Sequence, residues 1–425
     1  MKDEKNFPRI LILSNQSLSL ASSNGRTIYN FLIGWPKENL AQFFTSSEIP
    51  DYSLCSNYLS ITDSDVINYF IRKRKNKELN NNSNSINVKS KNALTKLLRE
   101  FIWGLYISRN RKIEDWVSCF KPDLILLQAG DSGFMCKLAV KLKDKFSIPL
   151  IVYNSENYYF KNYDYFRSKG LSHLLYPIFH YKFCSNFKKM MKKSDYAIYN
   201  SISLEKKYSF FNVPSKIIYT SSFLTKNVLK KYEKNPNDLV ISYLGNLGVG
   251  RSETLVTLSE KIIKHNSKIK LNVYGKAPND IIRSQLMGCD SIIYHGFVSY
   301  TDVINIMKNS DLLIHVENFS EFYVKDLTDS FSTKIADTIA SGIPFLFFGP
   351  ENTVGSKYLK ENGCAHVANN ESELDNTLYK IINDSSYRFQ YVDRGLEVAS
   401  ENHNVEKNAD LFYQIIKKIT KKVGD

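Results

Sequence analysis

The chain has 425 residues, 43% hydrophobic and 24% charged, with 57 basic against 43 acidic residues and a formal net charge of +14. This composition excludes a disordered chain, and the length suffices for two domains of ordinary size. The polar start and the absence of any apolar run near roughly 18 residues predict neither a secretion leader nor a membrane span. Six scattered cysteines without a CxxC pair exclude a zinc motif and fit reduced thiols. The positive surplus points to an anionic partner: nucleic acid, acidic lipid or phosphorylated small molecules.

In chain order, Arg9–Ser14 reads as a buried strand that ends in a polar loop, Asn15 to Asn24. Gly25-Arg26-Thr27 then opens a helix whose apolar side carries Tyr29, Phe31 and Leu32. Residues 73–91, rich in Lys, Asn and Ser, predict a mobile loop. Pro122–Leu127 predicts a strand, Gly133–Lys145 a helix and Ile148–Tyr153 another strand. Such alternation indicates a parallel sheet covered on both faces.

Residues 225–238, polar and lysine-rich with Pro236, separate this series from a second. Its strands are predicted at Val240–Leu244, Lys270–Tyr274, Ser291–Tyr294, Asp311–His315 and Pro344–Phe348, with helices filling the gaps. The expected organisation is therefore an N-terminal Rossmann-like domain over 1–224, the 225–238 linker, and a C-terminal Rossmann-like domain over 239–404. A helix over 405–425 is expected to pack back toward the first. The fold class is α/β, two doubly wound domains facing across a cleft, with ligands at the carboxyl ends of the strands.

The most informative stretch runs from Asp329 to Pro344. Ser332 or Thr333 can cap a helix that Gly342 and Pro344 stop. Its amino end gathers backbone amides, two hydroxyls and Lys334 within one turn, the groups that bind a diphosphate. Asp337, four residues on from Thr333, can take both hydroxyls of a ribose, and Asp329 can face the donor sugar or leaving phosphate. Spacing alone equally allows an ordinary capped helix with solvated aspartates.

The segment resembles the carboxyl half of the retaining family 4 glycosyltransferases, whose hallmark is two acids with seven residues between them in a pattern close to S-x-K-x-x-E-x-x-A-x-G-x-P. Both acids here are Asp, where that family has Glu. Tyr243–Leu247, Tyr294–Val298, Asn309–Leu313, Lys357–Cys364 and Asn369–Leu374 resemble further elements of the family, in order. The likeness implies a GT-B fold and transfer of a sugar from a nucleotide-diphosphate donor, retaining and without a metal or other cofactor. It implies further that Gly245 and Asn246 form the donor turn, Val298 receives the base, and Asp337 holds the ribose. Ser332 and Thr333 would hold the diphosphate. Arg251 and Lys334 would neutralise the leaving diphosphate, although Asn246 stands where the family has Arg. In the first domain the likeness places Gly25 near the donor phosphates, where a ligand-free turn glycine is the other reading, and Glu156 near the sugar as a catalytic acid beside Asp329.

Asp63-Ser-Asp65 spells a metal-binding DxD but reads as a helix cap, and His295 as a turn residue. The Pro177–Lys193 segment reads as an amphipathic helix with Ile178, Phe179, Phe183, Phe187 and Met190 on one side. With the aromatic and basic stretch Trp103 to Lys112, it is either core packing or a surface for anionic membrane. The expected partners are a nucleotide-sugar donor and a saccharide or lipid-linked saccharide acceptor, with no nucleic acid. The expected location is the cytoplasm, peripherally on the inner membrane face, in envelope or capsular polysaccharide synthesis. A sugar-nucleotide epimerase and a non-enzymatic two-lobed binding protein are the competing readings.

Overall fold

The computed structural model describes residues 7–20, 23–75, 92–226 and 239–421. The chain divides into two compact units, residues 1–218 with 409–425, and residues 219–408. Segment 219–224, expected with the first half, thus belongs to the second unit, as do residues 405–408.

The first unit is built on β1 (Ile10–Leu13), β2 (Leu40–Phe44), β3 (Asn57–Ser60), β4 (Leu124–Ala129), β5 (Leu150–Asn154), β6 (Tyr196–Tyr199) and β7 (Ser215–Ile217). These run in the order β3-β2-β1-β4-β5-β6-β7, with every pairing parallel. Ile10, Leu11, Ile12 and Leu13 are all fully buried. Because strand side chains alternate, Leu11 and Leu13 enter one core while Ile10 and Ile12 enter another. Each face needs a cover. One is packed by the helices Ala93–Arg109, Gly133–Phe146 and Tyr176–Lys193 through Trp103, Phe134, Phe179, Phe183 and Phe187. The other is packed by Ile28 and Phe31 of the helix Ser23–Phe31 and by Phe412, Tyr413 and Ile416 near the carboxyl end of the chain. Phe412 stacks on Phe31 at 5.4 Å.

The second unit carries β8 (Ile241–Leu244), β9 (Leu271–Tyr274), β10 (Ile292–Gly296), β11 (Leu312–Val316), β12 (Phe345–Phe348) and β13 (His366–Ala368). Their order is β10-β9-β8-β11-β12-β13, again all parallel. In both sheets the order reverses next to the first strand, so β1/β4 and β8/β11 flank topological switch points.

The strands read from sequence are present within a residue or two of their expected ends. Five others were not: β2, β3, β6, β7 and β13. Two of these are short and β3 is an edge strand with half-exposed residues, so their apolar signal is weak. The helix Asp63–Lys75 runs into the first three residues of the expected 73–91 loop, and residues 76–91 lie outside the described residues. Of the expected linker, Thr225 and Lys226 end a short 3-10 turn, and 227–238 lie outside the described residues.

Candidate functional site

In the second unit, three strand ends are lashed together by main-chain bonds. Gly245 N–H donates to Tyr274 O at 3.0 Å, and Gly275 N–H donates to Gly296 O at 2.8 Å. A Cβ on Gly275 would stand 2.1 Å from Gly245 O, so only glycine lets these turns approach so closely. The Asn246 side chain accepts from Gly248 N–H at 2.8 Å, while Tyr243 Oη donates to Asn246 O at 2.7 Å. Asn246 therefore shapes the turn. At the neighbouring strand end His295 stacks on Tyr274, centroids 4.3 Å apart, and its Nε2 lies 2.9 Å from Asn272 Oδ1. Two residues on, Phe297 is largely exposed beside half-buried Val298. Ser299 then caps the helix Tyr300–Asn309.

Arg251 opens the helix Arg251–His265 and keeps only 11% of its side chain exposed. Its Nε and Nη2 donate to the two oxygens of Glu317, each at 2.9 Å, and Nε also reaches Val316 O. His315 Nε2 lies 3.0 Å from Glu317 Oε1. Burial disfavours a charged Glu317, but Arg251 and His315 outweigh it and hold the carboxyl below the usual carboxylate range. The cation expected on the diphosphate is thus engaged by an acid 66 residues away in sequence. No local pattern announces that pairing.

The helix Thr333–Ala340 begins after Ser332, whose side chain makes no capping hydrogen bond. Ser332, Thr333 and Lys334 are half-buried, whereas every residue from Ile335 to Ala340 is buried. The first-turn amides and the macrodipole thus give this end a positive character that the Ser332 hydroxyl does not quench. Asp337 is buried within the helix, and its Oδ1 accepts from Ser222 Oγ at 2.7 Å. Asp329, eight residues before it, is buried in the preceding loop. The structure thus collects Asp329, Ser332, Thr333, Lys334 and Asp337 on one loop and helix. It places Gly245, Asn246 and Val298 at the ends of strands β8 and β10 in the same unit.

Gly25 and Glu156 belong to the first unit. Gly25, expected to open its helix, lies two residues inside the helix Ser23–Phe31 and is a buried helical residue. Glu156 follows β5 and is half-buried.

Sequence reading missed a pocket in this unit. About 670 Å³ in volume, it lies outside the carboxyl ends of β1, β2 and β4 at the switch point. Asn15, Gln16, Thr45, Asp63, Lys96 and Arg99 give it a polar wall, and Ile67, Leu98 and Ile102 an apolar one. Arg99 organises the polar side: Nε donates to Asp63 Oδ1 at 2.8 Å, Nη1 to Ser132 Oγ at 3.0 Å and Nη2 to Thr45 Oγ1 at 3.1 Å. Trp103 Nε1 adds a bond to Asp63 Oδ1 at 2.7 Å, and Lys96 pairs with Asp131 at 2.5 Å. Asp63 is therefore no helix cap. Thr62 and Asp65 do the capping, Asp65 Oδ2 accepting from both the Thr62 amide and hydroxyl. A partial signal existed, since Trp103 sits on the basic aromatic helix, but Asp63 and Arg99 are 36 residues apart.

That stretch and the 177–193 segment divide differently from the expectation. Trp103, Tyr106, Phe179, Phe183, Phe187 and Met190 are core, whereas Ile178, expected beside them, is exposed.

No protein-family model matches the chain, and no curated protein matches it in sequence. Solved structures do match over nearly the whole length. Anabaena HepE in complex with UDP and glucose superposes with a TM-score of 0.63 at 12% identity, covering 96% of this chain and 99% of that one. Sucrose-phosphate synthase from Thermosynechococcus elongatus gives 0.66 at 10% identity over 97% and 99% of the two chains. The fold is that of the GT-B glycosyltransferases. The α,α-trehalose 6-phosphate synthase from Burkholderia multivorans shares this GT-B architecture at a TM-score of 0.63 and 11% identity, over 99% and 98% of the two chains.

Proposed function

We propose that this GT-B chain is a glycosyltransferase that moves a sugar from a nucleotide-diphosphate donor, held on the second unit, to a saccharide acceptor, held on the first. The observation that carries the reading is the half-buried, uncapped start of the helix Thr333–Ala340, with Lys334 in its first turn and Asp337 four residues on from Thr333. First-turn amides, a helix dipole and an ammonium are what a diphosphate needs, and the amides cost no reorganisation as charge develops on the leaving group. HepE, described in complex with UDP and with UDP-glucose, supports the donor class.

In this reading Ser332, Thr333 and Lys334 hold the diphosphate, Asp337 the ribose, and the turn around Val298 the base. Gly245 allows close approach of the donor, and Asp329 faces the transferred sugar. Arg251, locked to Glu317, acts as a positioning residue that braces the Gly245–Gly250 turn. Cleavage of the glycosyl–phosphate bond leaves negative charge on the diphosphate, which Lys334 and the amides neutralise with no metal required. The acceptor hydroxyl attacks from the same face and passes its proton to the departing phosphate oxygen, so configuration is retained. The Asp63–Arg99 pocket is the acceptor seat, and the product belongs to an envelope or capsular polysaccharide.

Incubation with UDP- and GDP-sugars tests the class, because transferases leak slowly to water. Release of free sugar that persists in chelator and falls at least about tenfold in Lys334→Ala supports the reading. No release from any donor, or release abolished by chelator, contradicts it.

A further inference from the structure

The first unit presents an apolar ridge that its own core does not use. On the helix Ala93–Arg109, Leu94, Leu98 and Phe101 are exposed, at spacings that place them along one side. Leu171, Leu174, Ile178 and Tyr181 continue the pattern over Leu171–Leu174 and the following helix Tyr176–Lys193; Leu171, Leu174 and Tyr181 are 68%, 70% and 76% exposed. The two rows adjoin. Leu94 N–H donates to Ser172 Oγ at 3.0 Å, and Lys182 Nζ lies 5.9 Å from the Phe101 ring centroid. Seven large apolar side chains on neighbouring helices form a patch of the kind that marks a partner or a membrane.

Charge decides between them. From Tyr165 to Ser194 there are seven Lys and Arg and no acid. The one acid on the helix Ala93–Arg109 is Glu100, buried against the Gly133 amide. Further along the same helical run, Lys188, Lys189 and Lys192 are exposed and have no ion pair among the described residues. Nucleic acid would match the lysines but leave the leucines in water. A predominantly basic surface with a leucine and tyrosine ridge matches an interface with anionic headgroups outside and acyl chains beneath.

We infer that this face docks on an anionic lipid bilayer. Leu98 belongs both to the ridge and to the wall of the Asp63–Arg99 pocket. Resting on the proposed function, the acceptor is then an amphiphile, its polar head in the pocket and its apolar tail running past Leu98 into the bilayer.

The test is co-sedimentation of the full chain with vesicles of phosphatidylcholine containing about one quarter phosphatidylserine, against pure phosphatidylcholine. Binding should require the anionic lipid, weaken with salt, and fall at least about tenfold in Leu171→Glu/Leu174→Glu and in Lys188→Glu/Lys189→Glu. Circular dichroism melts of both variants should match the parent, since all four side chains are exposed. The inference is overturned if the parent ignores anionic vesicles, if the leucine variant binds as well as the parent, or if single-stranded RNA is bound tightly and vesicles are not. Vesicle binding needs no turnover. A chain that sediments with vesicles but hydrolyses no sugar nucleotide keeps this inference and loses the proposed function.

Discussion

Ser222 Oγ donates to Asp337 Oδ1 at 2.7 Å, tying the helix of the proposed diphosphate seat to the segment where the chain enters the second unit. The same segment is held from its other side: Ser222 N–H donates to His403 O at 2.8 Å, and His403 Nδ1 lies 2.6 Å from Thr220 O. Asp337 therefore has a structural bond as well as its proposed ligand role, and the two can be separated. Ser222→Ala leaves a buried carboxylate one donor short and should cost about 1–3 kcal/mol in urea unfolding. It should keep nucleotide-induced stabilisation, whereas Asp337→Ala should lose both.

Glu317 is buried and Arg251 nearly so, so deleting the arginine strands the carboxylate. Arg251→Ala should destabilise the chain by about 3–5 kcal/mol, and Arg251→Met/Glu317→Leu should recover most of that loss. Denaturant melts of the single and double variants decide it. If Arg251→Ala melts like the parent while donor hydrolysis collapses, the residue binds ligand and is not a brace.

Gly275→Ala places a methyl 2.1 Å from the carbonyl oxygen of Gly245, and neither partner is a side chain that can swing away. A loss of about 2–3 kcal/mol is expected, with the thermal midpoint as the readout. Gly363→Ala meets nothing within 4 Å but sits at φ +58°, so it should cost less, about 1 kcal/mol.

Two buried groups give stability opposite pH slopes. Burial pushes the Glu100 carboxyl up to about 7 from 4.5, so the folded state holds a proton that the unfolded chain releases. Stability from this group is complete below about pH 4.5 and is lost as pH rises to about 7. Burial pushes His403 down to about 4 from 6.5, so between those values the unfolded chain binds the extra proton and stability rises with pH. Each is worth up to about 3 kcal/mol, and they oppose one another over much of the same range. Glu100→Gln removes the first and should expose a steep gain in stability between about pH 4 and 6.5, seen by chemical denaturation. A flat profile in that variant contradicts the assignment.

The sheets were legible because their central strands are unbroken apolar runs. Ile10–Leu13 and Phe345–Phe348 are buried on both faces and have little alternative to a parallel sheet. The proposed donor seat draws on one local stretch, Asp329 to Asp337, whose hydroxyls, cation and acids fall within about two turns of each other. What stayed hidden is non-local. Glu317 reaches Arg251, Asp63 reaches Arg99, and Ser222 reaches Asp337 across spans of 66, 36 and 115 residues, and each redirects a side chain whose local setting suggested another use. The basic helix shows the same limit: periodicity located its apolar residues, but only packing separated core Phe179 and Phe183 from exposed Ile178.

The start of the helix Thr333–Ala340 as a diphosphate seat is tested most directly by thermal shift of the parent and of Lys334→Ala with UDP, GDP, ADP and CMP. One diphosphate at a hundredfold excess over its dissociation constant should stabilise the parent by about 2.7 kcal/mol. Lys334→Ala, unchanged in its unliganded midpoint, should show little or none of that gain. No shift of the parent with any nucleotide, or an equal shift in the variant, contradicts the account.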